Sequence, residues 1–191
     1  MGTARVGVLA LQGAFAAHAE VLSRLGADVR EVRVPADLDE VGALVMPGGE
    51  STTMSQLLES SGLFDALGDR LAHGFPVFGT CAGMILLARS VIGGRPDQRS
   101  FGAIDISVER NAYGRQVDSF EAELDVAGLN DPFPAVFIRA PRICDLGPAV
   151  ETLALHEGSP VLVRQGAVIA ASFHPELTGD GRLHTLFLES L

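Results

Sequence analysis

Short apolar runs alternate along the first half of the chain with stretches whose apolar positions recur at helical spacing, the pattern of buried strands separated by helices. Val6-Gly7-Val8-Leu9-Ala10-Leu11 predicts a first buried strand, followed by an alanine-rich helix from about Ala14 to Leu25, with Gly26 as its C-cap. Val29 to Val34 alternates with charges and predicts a strand nearer an edge, and Ala43-Leu44-Val45-Met46 predicts a third. Helices are expected over Thr53–Ser60 and Leu63–His73. Thr53 with Gln56 three residues on has capping-box form, which places the first helix start at Thr53. Val77-Phe78-Gly79 is the fourth strand.

From Phe101 the runs lengthen and alternate. Ile104–Glu109 and Ser119–Leu124 read as antiparallel strands. Ala135–Ile138 and Thr152–Leu155 follow, then a hairpin of Val161–Arg164 and Val168–Ala171 turned at Gln165-Gly166, and a closing helix from Leu183 to Leu191. With no repeat, linker or low-complexity segment, the expectation is one α/β domain over residues 1–191, a sandwich around a mixed central sheet. Strand order does not follow from the pattern.

Composition narrows the function. The chain has 191 residues, 47% of them hydrophobic, enough for a layered core. No stretch reaches the roughly 18 apolar residues of a membrane span, and Gln12-Gly13 breaks the first apolar run too early for a signal peptide. Two cysteines argue against a disulfide framework and for a reducing, cytoplasmic setting. The net charge of −10 disfavours nucleic acid and anionic membranes as partners. All 14 basic residues are arginine. Without a lysine amine this chain forms no side-chain imine with a carbonyl substrate or with pyridoxal phosphate.

The candidate chemistry begins where the fourth strand ends. Gly79-Thr80-Cys81-Ala82-Gly83 followed by helix formers places Cys81 on a tight strand-to-helix turn, the G-x-C-x-G counterpart of a nucleophile elbow. Its flanking glycines are expected to admit strained backbone and to let substrate approach. The helix N-terminus favours a thiolate and offers N–H groups to an oxyanion. A buried structural cysteine is the plain alternative, and His174-Pro175-Glu176 at the end of another apolar run argues against it. In an extended segment, residues two apart share a side, so Glu176 can orient His174, completing nucleophile, base and orienting carboxylate. Pro47-Gly48-Gly49-Glu50-Ser51 also ends a strand, where open α/β sheets place ligands. Its glycines offer N–H groups for an oxyanion hole, and Glu50 a carboxylate for an ammonium group; an ordinary turn with a solvated Glu50 is the alternative.

Gly79-Thr80-Cys81-Ala82-Gly83 with His174-Pro175-Glu176 resembles the class I glutamine amidotransferases, whose triad is Cys-His-Glu. Within that group Leu11-Gln12-Gly13, Pro47-Gly48-Gly49-Glu50-Ser51-Thr52, and Arg110-Asn111-Ala112-Tyr113-Gly114-Arg115-Gln116 with Asp118-Ser119-Phe120 resemble the glutaminase subunits of pyridoxal 5′-phosphate synthase. The resemblance implies a three-layer, flavodoxin-like sandwich with a largely parallel sheet. It also implies hydrolysis of L-glutamine to glutamate and ammonia through a thioester on Cys81, with His174 as acid and base and Glu176 as its partner. Gly49 and Ala82 would hold the oxyanion; Gly49, Glu50, Ser51, Arg110, Ile138 and Arg139 would line the glutamine pocket. For Arg110 and Arg139 the alternative is a surface ion pair. The partner implied is a synthase subunit that condenses the ammonia with ribose 5-phosphate and glyceraldehyde 3-phosphate. Gln12 and the first helix, including His18, are expected to form part of the docking face, His18 otherwise being a solvated helix residue.

Other readings share parts of this pattern: an amidotransferase for another acceptor, a cysteine-elbow stress protein on a related fold, or a non-enzymatic regulatory subunit. The Arg110–Gln116 motif, the His-Pro-Glu placement and the intact triad, respectively, argue against them. Cys144 reads as a structural thiol; His73, His156 and His184 lack metal-ligand spacing, so no metal site and no cofactor are expected.

Overall fold

The computed structural model describes residues 5–110 and 119–191, so that of the Arg110–Gln116 motif only Arg110, and of Asp118-Ser119-Phe120 only the last two, are described. In chain order, β1 (Arg5–Leu9) leads through α1 (Phe15–Arg24) to β2 (Asp28–Val32), and the single turn α2 (Pro35–Leu38) leads to β3 (Ala43–Met46). Helices α3 (Ser51–Ser60) and α4 (Leu63–Ala72) precede β4 (Val77–Thr80), which runs into α5 (Ala82–Leu87). Then come β5 (Ala88–Ile92), β6 (Ile104–Glu109), β7 (Phe120–Leu124), β8 (Phe133–Phe137), β9 (Arg142–Leu146) and β10 (Glu151–His156). The chain closes with β11 (Ser159–Gln165), β12 (Val168–Ala171), a 3-10 turn at Pro175–Leu177 and α6 (Arg182–Glu189).

The central sheet has the order β10-β11-β12-β4-β3-β1-β2. Its β12, β4, β3, β1 and β2 strands are parallel, and β10, β11 and β12 antiparallel. Because successive strand residues point to opposite faces, Leu44 and Met46 of β3 join a core with Leu58, Leu67 and Leu86 of α3, α4 and α5. Ala43 and Val45 join one with Leu22 of α1 and Leu183 and Phe187 of α6. Helices thus cover both faces, the expected three-layer arrangement with a mixed, largely parallel sheet. Strands buried on both faces explain why the runs read as continuously apolar. Among the described residues no helix is long and apolar enough to cross a membrane.

Two details differ from expectation. Helix α3 starts at Ser51, not Thr53: Glu50 is its N-cap, with its carboxylate accepting from the N–H of Thr52 (3.1 Å) and Thr53 (2.7 Å). A carboxylate already bonded to two orphan N–H groups leaves no role for a Thr53–Gln56 capping box. Second, β6, read as antiparallel, has a parallel neighbour in β5 as well as the antiparallel β9, whereas β7 is antiparallel to β8 as expected. β6 sits in a β5-β6-β9 sheet and β7 pairs with β8. Each half-exposed strand covers a flank with its apolar side. On β9, Cys144 is exposed, 3.9 Å from Glu109 Oε2, and contributes no core packing.

Candidate active site

β12 lies beside β4 with Ala171 opposite Thr80, so two parallel strands end at the same edge of the sheet. Cys81 occupies the turn from β4 into α5 at φ 49°, ψ −102°, a conformation an L-residue holds only when its surroundings over-determine it. Its N–H donates to Ala171 O at 2.8 Å, which ties the elbow to β12. The strain sits on the cysteine itself and not on the flanking glycines. A Cβ on Gly83 would lie 2.2 Å from Met46 O, and one on Gly79 would lie 2.5 Å from Leu87 Cδ1. These glycines let α5 pack against β3 and β4, a different purpose from the substrate access expected of them.

Beyond β12 the backbone N–H of His174 donates to Val136 O at 2.8 Å, fixing the ring's origin. Glu176 sits in the 3-10 turn and not in an extended segment, and still brings Oε1 within 2.8 Å of His174 Nδ1. Burial alone would lower the affinity of His174 for a proton. Hydrogen bonds to Cys81 and Glu176, and their charges, outweigh it and push the imidazole up to about 10. Burial would raise Glu176, but its bond to His174 and the nearby His18 and His174 hold it below the usual carboxylate range.

The Pro47–Ser51 loop presses on this pair. A Cβ on Gly48 would lie 2.3 Å from His174 Cε1 and 3.3 Å from Cys81 Cβ, so any side chain there displaces the base. A cavity of about 310 Å³ opens above, lined by Cys81 and His174 with Gln12, Gly49, Glu50, Ser51, Arg110, Ile138 and Arg139. Ile85 and Pro141 complete the lining; neither residue type carries a chemical signal in sequence. Ala82 is fully buried at the first position of α5 and does not line the cavity, and Glu176 lies behind His174. Arg110 is already committed: Nη2 pairs with Glu50 Oε1 at 3.0 Å and Nη1 bonds Thr52 and Gln98. Burial would raise Glu50, but hydrogen bonds from Thr53 and Thr52, with the charge of Arg110 adding to them, hold it down at about 2. Arg139, at φ 43°, is exposed and has no ion-pair partner among the described residues.

The model of the SNO glutamine amidotransferase family matches residues 8–191. The chain belongs to that family. It is 58% identical over 186 residues to the pyridoxal 5′-phosphate synthase subunit PdxT of Deinococcus radiodurans, covering 96% of this chain and 95% of that protein. Against the subunit of the same name from Frankia casuarinae it is 55% identical over 192 residues, covering 100% and 96%. A solved structure titled as a glutamine amidotransferase superposes with a TM-score of 0.92 at 53% identity, covering 97% of each chain. The PurLQS structure from Thermotoga maritima, at 13% identity and TM-score 0.71, shares the fold, covering 98% of each chain.

Two residues assigned to a docking face fare differently in this family member. Gln12 is half-buried at the cavity, where its Oε1 accepts from the Glu50 N–H at 3.0 Å. His18 is fully buried, against expectation, and is neither a docking residue nor a solvated one. It lies on the inner stripe of α1 with Val21 and Leu22, among Thr80, Glu176 and His184. Burial pulls His18 down to about 4, a fall that Glu176 partly resists and His174 adds to. Burial pulls His184 down to about 3, with His18 adding to the fall.

These directions set an acid-stability prediction. Below the unfolded value of about 6.5, the unfolded chain takes up histidine protons before the folded one, so stability declines as pH falls from 6.5 towards 4. The loss from His18 alone is on the order of 3 kcal/mol, and His184 and the depressed Glu176 act in the same direction. His174 does the opposite, contributing stability below 6.5 that is lost as pH rises through about 10. Urea midpoints measured across pH 7 to 4 are expected to fall more steeply for the unmodified chain than for His18→Gln. Equal slopes would contradict the buried neutral histidine.

Proposed function

We propose that this site hydrolyses the side-chain amide of L-glutamine and passes the ammonia to a pyridoxal 5′-phosphate synthase subunit, as the name shared by the relatives suggests. The observation that carries the reading is one constellation. A strained cysteine at a helix N-terminus shares the cavity lining with a histidine whose Nδ1 is held by a buried carboxylate. In this reading residues 1–191 form one glutaminase domain, working in a reducing cytoplasm where Cys81 stays reduced.

The Cys81 thiolate attacks the amide carbon, and the N–H groups of Gly49 and Ala82 receive the oxyanion. The His174 imidazolium gives its proton to the leaving nitrogen, the C–N bond breaks, and ammonia departs from a glutamyl thioester. Neutral His174 then takes a proton from water, hydroxide attacks the thioester, and glutamate leaves as the thiolate and imidazolium are restored. Glu176 holds the ring and stabilises its cation. Arg139, at the cavity rim and with no ion-pair partner among the described residues, suits the α-carboxylate of glutamine, while Arg110 shapes the wall with Glu50, Ser51 and Ile138. The carboxylate of Glu50 reaches an ammonium group only while it also caps α3.

Ammonia is useful as a nucleophile only before water protonates it, which favours delivery to a docked partner. Gln12 and the exposed side of α1 are the proposed docking face. The test measures glutamate release and pyridoxal phosphate absorbance with this chain alone, with synthase added, and with ammonium salt in its place. The chain alone should give no pyridoxal phosphate, because it has no lysine for imine chemistry. Synthase should supply that chemistry and raise glutamine hydrolysis, and ammonium should replace this chain. Full hydrolysis unchanged by synthase would point to another acceptor or a free-standing hydrolase.

A further inference from the structure

The side of Glu176 turned away from His174 meets polar groups that the hydrolysis above does not use. Oε1 is taken by His174, whereas Oε2 is buried, has no aligned hydrogen bond among the described residues, and lies 3.3 Å from His18 Nε2. His18 Nε2 is also 3.1 Å from the hydroxyl of Thr80, the residue before the nucleophile, and its Nδ1 is 2.9 Å from His184 Nε2 on α6. His184 is fully buried too, and its Nδ1 has no partner among the described residues. Buried polar groups this close to a carboxylate are costly unless their protons are placed consistently.

Counting protons leaves one consistent arrangement. A neutral imidazole has one N–H and one lone pair. With the proton on His18 Nε2, a donor faces Glu176 Oε2 and Thr80, and His18 Nδ1 accepts from His184 Nε2–H. The only atom left over is then a lone pair on His184 Nδ1. The opposite assignment turns a lone pair towards the carboxylate and strands a buried N–H on His184 Nδ1, failing at both ends of the chain.

We infer that His18 is a positioning residue for the triad: its Nε2–H, held in that tautomer by His184, steadies the outer oxygen of Glu176 so that the inner oxygen stays on His174. The inference rests on the glutaminase reading. The charged and titratable groups facing this cluster are Cys81 at the start of α5, His174 and Glu176 after β12, His184 on α6 and Arg24 at the end of α1. Burial keeps both inner histidines neutral near pH 7, as the proton count requires.

The test compares unmodified chain, His18→Leu, His18→Gln and Cys81→Ala, each with the synthase subunit, over a range of pH. His18→Leu is expected to lower kcat about 10- to 100-fold, the scale of one hydrogen bond to a charged group, with KM for glutamine within about twofold. The basic limb of its pH–rate profile should move to lower pH, because a loosely held Glu176 supports the His174 proton less. His18→Gln places an amide N–H where Nε2–H stood and should restore most of kcat and the limb. A folded His18→Leu with unmodified kcat and limb overturns the inference, and so does His18→Gln impaired as much as His18→Leu, which would mean packing alone. Should His18→Leu not fold, ¹⁵N spectra of the histidine rings in the unmodified chain decide: neutral His18 protonated on Nε2 supports the inference, and protonation on Nδ1 overturns it. Activity surviving in Cys81→Ala would instead overturn the glutaminase reading.

Discussion

Cys81→Ala is expected to abolish glutamine hydrolysis, with a loss on the order of a million-fold in kcat, because no covalent path remains once the sulfur is gone. The fold should survive. The φ 49° backbone is held by the bond from residue 81 N–H to Ala171 O, which alanine keeps, and the side chain removed is small. Cys144→Ala should change little, since that thiol is exposed on β9 away from the cavity. A glutamine-mimicking alkylator followed by peptide mapping separates the two cysteines. Label found on Cys144, or turnover persisting in Cys81→Ala, would end the assignment of the nucleophile.

Glu176→Gln should lower kcat by roughly 10⁴-fold, the scale seen when the orienting carboxylate of a triad becomes an amide, with a much smaller change in KM. The amide keeps the shape but not the charge that, with Cys81, lifts His174 to about 10, and it can present N–H where His174 Nδ1 needs an acceptor. The residue lies behind His174 and does not line the cavity, so glutamine binding has little reason to weaken. A variant with altered KM and unaltered kcat would make Glu176 a substrate ligand.

Much of the architecture was legible in the chain because it is encoded locally. A run such as Ala43–Met46 has no polar face, so it must be buried on both sides, and Gln165-Gly166 between two such runs makes a hairpin, with Gly166 at φ 56°. The elbow and the His-Pro-Glu segment were legible for the same reason: each is a short spacing at the end of an apolar run.

What the tertiary structure decided is how distant pieces meet. No periodicity says that β12 inserts beside β4, yet that register alone brings His174 to Cys81. Nor does local pattern tell which partner a polar group will find. Glu50 reads as a free carboxylate until α3 begins one residue later and draws it onto Thr52 and Thr53. His18 shows the ambiguity most clearly. Its spacing to Val21 and Leu22 is the i, i+3, i+4 stripe of a buried face, a signal present in the sequence, but histidine is as much at home in water as in a satisfied interior. Only the packing of α1 against Thr80, Glu176 and His184 supplies the partners that make burial affordable, because a buried imidazole is stable only where its one proton and one lone pair are matched.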